Sequence, residues 1–215
     1  MAQIKNGVLG SFNGKVGPVS GYTRNGRNIM RTSSSRVRDN STPRRLAQRE
    51  KIRVCNTFIN AFSGTGIFAR TFPNADHGGS GYNRAMKVLM NSALEGIYPE
   101  YKIMYNKFLI SKGELPAPKD AAAGLDADGN LVFTWADNST EGTAKPNDIA
   151  VVVAYFTGKQ VRLVYSLDAA KRETGFATLM VPAGNEGSVA ETWIGFVSPD
   201  GLIASNSVYT GPLEV

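Results

Sequence analysis

Lys15, Arg24, Arg27, Arg31, Arg36, Arg38, Arg44, Arg45, Arg49 and Arg53 stand within the first 53 residues of the chain, and nine of the ten are arginines. A guanidinium is a planar fork that donates two parallel N–H bonds, which suits phosphate oxygens and carboxylates equally. These ten side chains are the candidate contact set, for a protein partner or for nucleic acid. The charge is polarised to match. Residues 1–60 hold 12 basic residues against Asp39 and Glu50, a net of +10, whereas residues 61–215 hold 12 against 16 acidic ones, a net of −4. A basic arm on a mildly acidic body is built to meet a polyanion or the acidic face of a neighbouring subunit.

Other chemistry lacks a necessary member. Gly7…Gly14-Lys15 approaches the GxxxxGK spacing of a phosphate loop, but Val16 follows where Ser or Thr is required. No helix pattern follows either, so nothing aims backbone N–H groups at a phosphate. Cys55 has no cysteine partner and the sole histidine, His77, sits beside Asp76 in a glycine-rich stretch, which makes no metal-ligand pair. Cys55 lies on the apolar stripe of a predicted helix, where a thiol behaves as a small hydrophobe rather than a nucleophile. Asp126, Asp128, Asp137 and Glu141 cluster in turns around one strand, as solvated turn residues do. Asp126-Ala127-Asp128-Gly129-Asn130 lacks the distal Glu of a calcium loop. No catalytic, cofactor-binding or metal-ligating set emerges, and the expectation is a protein that is not an enzyme and carries no cofactor.

Six glycines from Gly7 to Gly26 punctuate the arm too densely for a helix and suit turns between short strands. Asn25-Gly26 is a hairpin-turn signal, which predicts Val16–Tyr22 and Asn28–Arg31 as the arms of one hairpin. Thr32–Ser41 reads as a polar linker. Pro43 opens a helix that runs through Phe62, capped by Ser41 or Thr42, with Ile52, Cys55, Ile59 and Phe62 inward. Tyr82–Ile97 reads as a second helix stopped by Pro99, and Tyr101–Ile110 as a strand. After a linker at Gly113–Asp128, strands are expected at Leu131–Trp135, Ile149–Phe156, Val161–Ser166, Gly175–Val181, Val189–Val197 and Leu202–Tyr209.

The fold class expected is therefore α+β. A glycine-rich hairpin arm and two helices occupy 1–112, and an antiparallel sandwich of immunoglobulin or fibronectin type occupies 113–215, with strand 101–111 joining either part. Trp135 and Trp193 are its expected core. One cysteine rules out an internal disulfide. The composition, 42% hydrophobic and 20% charged, is that of a globular chain, and no apolar run reaches the roughly 18–20 residues that span a bilayer.

GVLGSFNGKVGPVSG, the basic segment ending NIMR, VRDNSTPRRLAQREKI, GTAKPNDIAVVVAY and FVSPDGLIASNSVYTG together resemble a family found in Bacteroidota and their phages and known as a domain of unknown function. The likeness spans nearly the whole chain and implies an arrangement of parts without an activity. It also implies synthesis in a bacterial cytoplasm, with no signal-peptide pattern at the N-terminus, and a place in a virion. The leading expectation is a structural protein that forms a homo-oligomer or larger assembly through its arm. The alternative is a nucleic-acid-binding or packaging accessory that uses the arginines. A third is a carbohydrate-binding sandwich using Tyr155, Tyr165, Trp193 and Tyr209, which rests on fold analogy alone.

Overall fold

Glycine-rich sequence with alternating short apolar residues makes short strands, and the arm obeys this rule in the computed structural model of the chain. The structure describes residues 3–4, 11–24, 26–32, 41–73, 79–157, 162–185 and 187–215. Two units divide at residue 42: Met1–Thr42 and Pro43–Val215.

The first unit is a meander of four strands in the order β1-β2-β3-β4: β1 (Gln3–Ile4), β2 (Phe12–Val16), β3 (Val19–Arg24) and β4 (Arg27–Thr32). The predicted hairpin is present as β3 and β4, shifted so that Arg24 and Arg27 oppose each other at its tip. Val16, expected in the same strand as Tyr22, instead ends β2. Gly17-Pro18 turns the chain between them, and Gly17 takes φ +54, a backbone angle that glycine adopts without penalty. Asn25 of the tip lies outside the described residues.

The second unit is α+β, with helices packed on a sandwich-like pair of sheets. Its helices are α1 (Pro43–Ile59), α2 (Ile67–Thr71) and α3 (Gly81–Ser92). A short hairpin follows, β5 (Leu94–Ile97) with β6 (Glu100–Ile103), and then β7 (Lys119–Leu125), β8 (Leu131–Ala136), β9 (Ile149–Phe156), β10 (Leu163–Lys171), β11 (Phe176–Leu179), β12 (Val189–Val197) and β13 (Val208–Glu214). One sheet has the order β10-β9-β12-β13 and the other β11-β8-β7, with antiparallel pairing throughout.

The unbroken apolar run of β9 explains the layering. A strand with apolar residues on both sides must be covered on both faces. Val151, Val153 and Tyr155 join the helices in one core with Cys55, Phe58, Ile59, Phe62, Phe68 and Leu89. Ala150, Val152, Ala154 and Phe156 face the second sheet, against Leu131, Phe133, Trp135 and Ala177. The four-stranded sheet is thus the middle layer of three. Trp193 is fully buried, and its indole N–H reaches the carbonyls of Phe108 at 3.1 Å and Tyr105 at 3.3 Å. Trp135 is buried on the other side and donates to the Arg172 carbonyl at 2.7 Å. The helical region therefore shares a core with the sandwich. The three α-helices lie before residue 112 and the strands of the sandwich after 113, while the chain divides into compact units after Thr42.

Several expected elements are corrected. α1 ends at Ile59, and Asn60–Phe62 continue as a single 3-10 turn. Ile52, expected inward, is 40% exposed, because the buried stripe starts at Cys55. The second helix stops at Ser92 rather than Ile97. Gly96, at φ +115, lets Leu94–Ile97 turn back against β6, where an added Cβ would sit 2.1 Å from the Glu100 carbonyl. The expected strand 101–110 is broken after Ile103 by a 3-10 turn at Tyr105–Lys107. The expected linker 113–128 contains β7, which pairs with β8 despite its Ala-Gly composition. The last strand begins at Val208, and Leu202 and Ile203 are exposed in a turn instead. α2 has no counterpart in the sequence reading.

Candidate functional site

Registry sorts the arm's side chains onto two faces. Successive residues of a strand point to opposite sides, so cross-strand partners share a face and rows alternate. Lys15, Ser20 and Arg31 form one row across β2, β3 and β4; Tyr22 opposes Ile29, and Arg24 opposes Arg27. These alternate rows share one face, on which four cations surround a tyrosine and an isoleucine. At about 3.4 Å per residue and 4.8 Å per strand, Arg27 and Arg31 stand about 13 Å apart, and Lys15 about 10 Å from Arg31. The Arg31 guanidinium lies 5.7 Å from the centre of the Tyr22 ring, within reach of its electron-rich face. No Asp or Glu occurs among the described residues of this unit.

The other face is neutral. Its rows are Val16–Val19–Thr32, Gly14–Gly21–Met30 and Thr23–Asn28. Gly14 takes φ +120, and the Phe12 ring lies over Gly21, so close that a Cβ there would meet the Phe12 carbonyl at 2.4 Å and its ring at 2.8 Å. Thr23 reaches the Asn13 side chain at 3.5 Å and Asn28 at 2.9 Å. Gly21 is the one buried position among the described residues of the unit, while Met30 is 69% and Val16 50% exposed. Among the described residues of this sheet, one glycine is buried and no apolar side chain is. Isolated short sheets are at best marginally stable in water.

The remaining predicted contacts lie elsewhere. Arg36 and Arg38 fall outside the described residues. Arg44, Arg45 and Arg49 are exposed on the first turns of α1. Arg53 is held by Glu50, one turn earlier, with Nε 2.9 Å from the carboxylate. This pairing raises the guanidinium's affinity for its proton and lowers that of the carboxyl. Arg53 thus belongs to a helix-surface ion pair, whereas Lys15, Arg24, Arg27 and Arg31 gather on one face. By residue type alone all ten form one set. The period-two alternation of β3 and β4 is the signal that separates them, and it also brings in Tyr22 and Ile29.

Other titratable groups are absorbed by structure. Cys55 is buried, and burial pushes its thiol up. His77 and Asp76 lie outside the described residues. Asp126 accepts the N–H groups of Asn130 at 2.8 Å and Asp128 at 2.9 Å, which closes its turn and holds its carboxyl down. Asp137 accepts the Ser139 N–H at 2.9 Å. Glu141 is bound by Asn138 and by Lys119, both of which lower its carboxyl. Arg172, fully buried, spans the end of the sandwich. Its Nε donates to Asp148 at 3.1 Å, and its terminal nitrogens donate to the Asn138 side chain at 2.5 Å and the Pro116 carbonyl at 3.1 Å. The guanidinium also lies 3.9 Å from the centre of the Phe196 ring. All three nitrogens are engaged, so it acts as a tie and not as a ligand group.

Of the aromatic residues weighed for carbohydrate, Trp193 and Tyr155 are buried, Tyr209 donates to Glu191, and Tyr165 is 37% exposed. They form no common exposed platform. Burial pushes the Tyr209 hydroxyl up, as does its bond to Glu191; burial, with Tyr155 and Glu191 nearby, pushes Tyr105 up to about 12. Among the described residues no three His, Cys, Asp or Glu side chains gather to hold a metal ion, and no helix is long and apolar enough to cross a membrane.

No curated protein and no solved structure matches the chain. A family model does, over residues 11–211, which takes in β2 through most of β13. The chain belongs to that family, DUF6266, a family of unknown function.

Proposed function

We propose that this chain is a non-enzymatic assembly protein that associates with a second copy of itself through the neutral face of its N-terminal meander. The observation that carries the reading is the exposure of apolar side chains on the neutral face, Met30 above all. A folded sheet that leaves Met30 and Val16 in water needs a cover for that side. A second arm is the cover that fits. Packing two neutral faces together at the usual sheet spacing of about 10 Å hides both sets of apolar side chains. It also keeps the two cationic faces outward, away from each other, which pairing along β4 edges would not.

The body is the displayed part in this reading. Its strand order joins the first, second and fifth strands of the sandwich in one sheet, and the third, fourth, sixth and seventh in the other. That order supports a fibronectin-type sandwich, a fold that serves as a spacer or recognition module in many settings and fixes no activity. The particle setting, a virion or phage-like assembly, rests on the sequence resemblance and is checked by mass spectrometry of purified particles.

Light scattering at high micromolar concentration tests the association. The full chain is expected to run as a dimer or larger species, and a chain lacking residues 1–42 as a folded monomer. A monomeric full chain, or a truncated chain that associates equally, rejects the proposal.

A further inference from the structure

The opposite face of the meander carries four cations and, among the described residues, no carboxylate, and self-association through the neutral face leaves it unused. We propose that it binds single-stranded nucleic acid, with Lys15, Arg24, Arg27 and Arg31 on phosphates and Tyr22 as a stacking platform for a base.

Three features select this occupant. First, the charge is of one sign: four cations share the face, and Asp39, the one carboxylate in the first 42 residues, lies outside the described part. Such a surface matches a polyanion, not a protein patch of mixed sign. Second, the cations are distributed in two groups. Arg24 and Arg27 stand at the tip, Lys15 and Arg31 across the other end, with Tyr22 and Ile29 between them. A strand of nucleic acid laid along the hairpin would meet cations at both ends of a roughly 13 Å span and an aromatic ring in the middle. Third, Tyr22 is 37% exposed, and its ring already receives the Arg31 guanidinium at 5.7 Å. Ring and guanidinium together offer a base an aromatic face and a phosphate a donor, the pairing that sequence-tolerant single-strand binders use. A duplex keeps its bases stacked inside and would gain nothing from Tyr22. An acidic protein would use the arginines and leave the ring idle.

The test is fluorescence anisotropy of the full chain with a labelled 20-nucleotide oligodeoxythymidylate. Neutralising four phosphates of a single strand gives a log–log salt slope of about −3, so raising salt from about 50 to about 200 mM weakens binding roughly 50-fold. The variant with Lys15→Gln, Arg24→Gln, Arg27→Gln and Arg31→Gln loses binding and its salt slope. Tyr22→Ala weakens it about tenfold while Tyr22→Phe does not, since only the ring is used. Circular dichroism checks that each variant keeps its strands.

Four results overturn the proposal. They are no binding at about 50 mM salt, full retention by the four-residue variant, loss that instead follows an Arg44→Gln, Arg45→Gln, Arg49→Gln variant, and equal competition by polyglutamate with no effect of Tyr22→Ala. The last assigns the face to an acidic protein. Self-association is read separately by light scattering on the same samples, so failure of one proposal leaves the other standing.

Discussion

Met30→Ala is the most informative single substitution for the association proposed here. Met30 is 69% exposed in the chain and lies beside Gly21 on the neutral face. Burying a whole methionine side chain is worth about 1.5–3 kcal/mol, so the part still in water offers about 1–2 kcal/mol when covered. A symmetric contact counts each substitution twice, giving a loss of about 2–4 kcal/mol. That corresponds to a roughly 30- to 1,000-fold rise in the dimer dissociation constant. An exposed strand residue makes little difference to its own unit, so melting of the dilute, monomeric chain is expected to stay constant. Sedimentation equilibrium over a concentration series reads the constant directly. Arg27→Gln, on the opposite face, serves as the control and leaves it unchanged. A dissociation constant for Met30→Ala within threefold of the parent refutes the reasoning, as does a larger effect from Arg27→Gln.

Three further outcomes follow from the body and the arm. Arg172→Ala strands the Asp148 carboxylate in a buried site, a loss of about 3–5 kcal/mol, which lowers the melting temperature by about 10 °C or more. Adding Asp148→Ala to it recovers part of the loss, and a double variant less stable than Arg172→Ala contradicts the tie. Stability is also expected to fall at alkaline pH. Tyr105 keeps its proton to about 12 when folded and releases it near 10 when unfolded, so its contribution is complete below pH 10 and is lost on rising towards 12. Denaturant titrations are expected to show Tyr105 contributing a loss of about 2 kcal/mol across that window, so that Tyr105→Phe loses less by that amount, while Tyr209, also pushed up, still loses stability. Gly21→Ala drives a methyl into the Phe12 carbonyl and ring and opens the β2–β3 pairing, which limited proteolysis reads as faster cleavage at Lys15 and Arg24. Gly124→Ala, with open space around the added carbon, changes nothing.

The parts that read well from sequence are those where one physical signal dominates. β9 is an unbroken apolar run and β12 is apolar except for Glu191 and Thr192, and their length and β-branched content leave little choice. Pro43 opens α1, and the glycines after Phe62 close the 3-10 turn that follows it. Where signals compete, local pattern misleads. Leu-Glu-Gly-Ile continues the apolar spacing of α3, yet the conformation that Gly96 permits and the partner strand β6 decide for a hairpin. β7 is Lys-Asp-Ala-Ala-Ala-Gly-Leu, poor in strand formers, and exists because β8 supplies its hydrogen bonds. Arg172 sits in an unremarkable Lys-Arg-Glu-Thr, and its partner Asp148 is far away in the chain, so no local pattern announces it. In the arm, composition announces the basic character and nothing finer. The division into a cationic face with Tyr22 and a neutral face with Met30 requires strand boundaries correct to one residue, because a shift by one exchanges the faces.

The most direct test of the central claim uses the chain's chemistry to report which face meets a second copy. Cys55, the single cysteine, is buried, so one introduced thiol is the sole reactive site. Met30→Cys and Lys15→Cys place that thiol on the neutral and cationic faces respectively. Each is treated with a bismaleimide of about 10 Å span, the spacing of two packed sheets, and resolved by denaturing electrophoresis. The predicted result is a covalent dimer from Met30→Cys that disappears on dilution, with Lys15→Cys remaining monomeric. Cross-linking through Lys15→Cys and not through Met30→Cys would contradict the account.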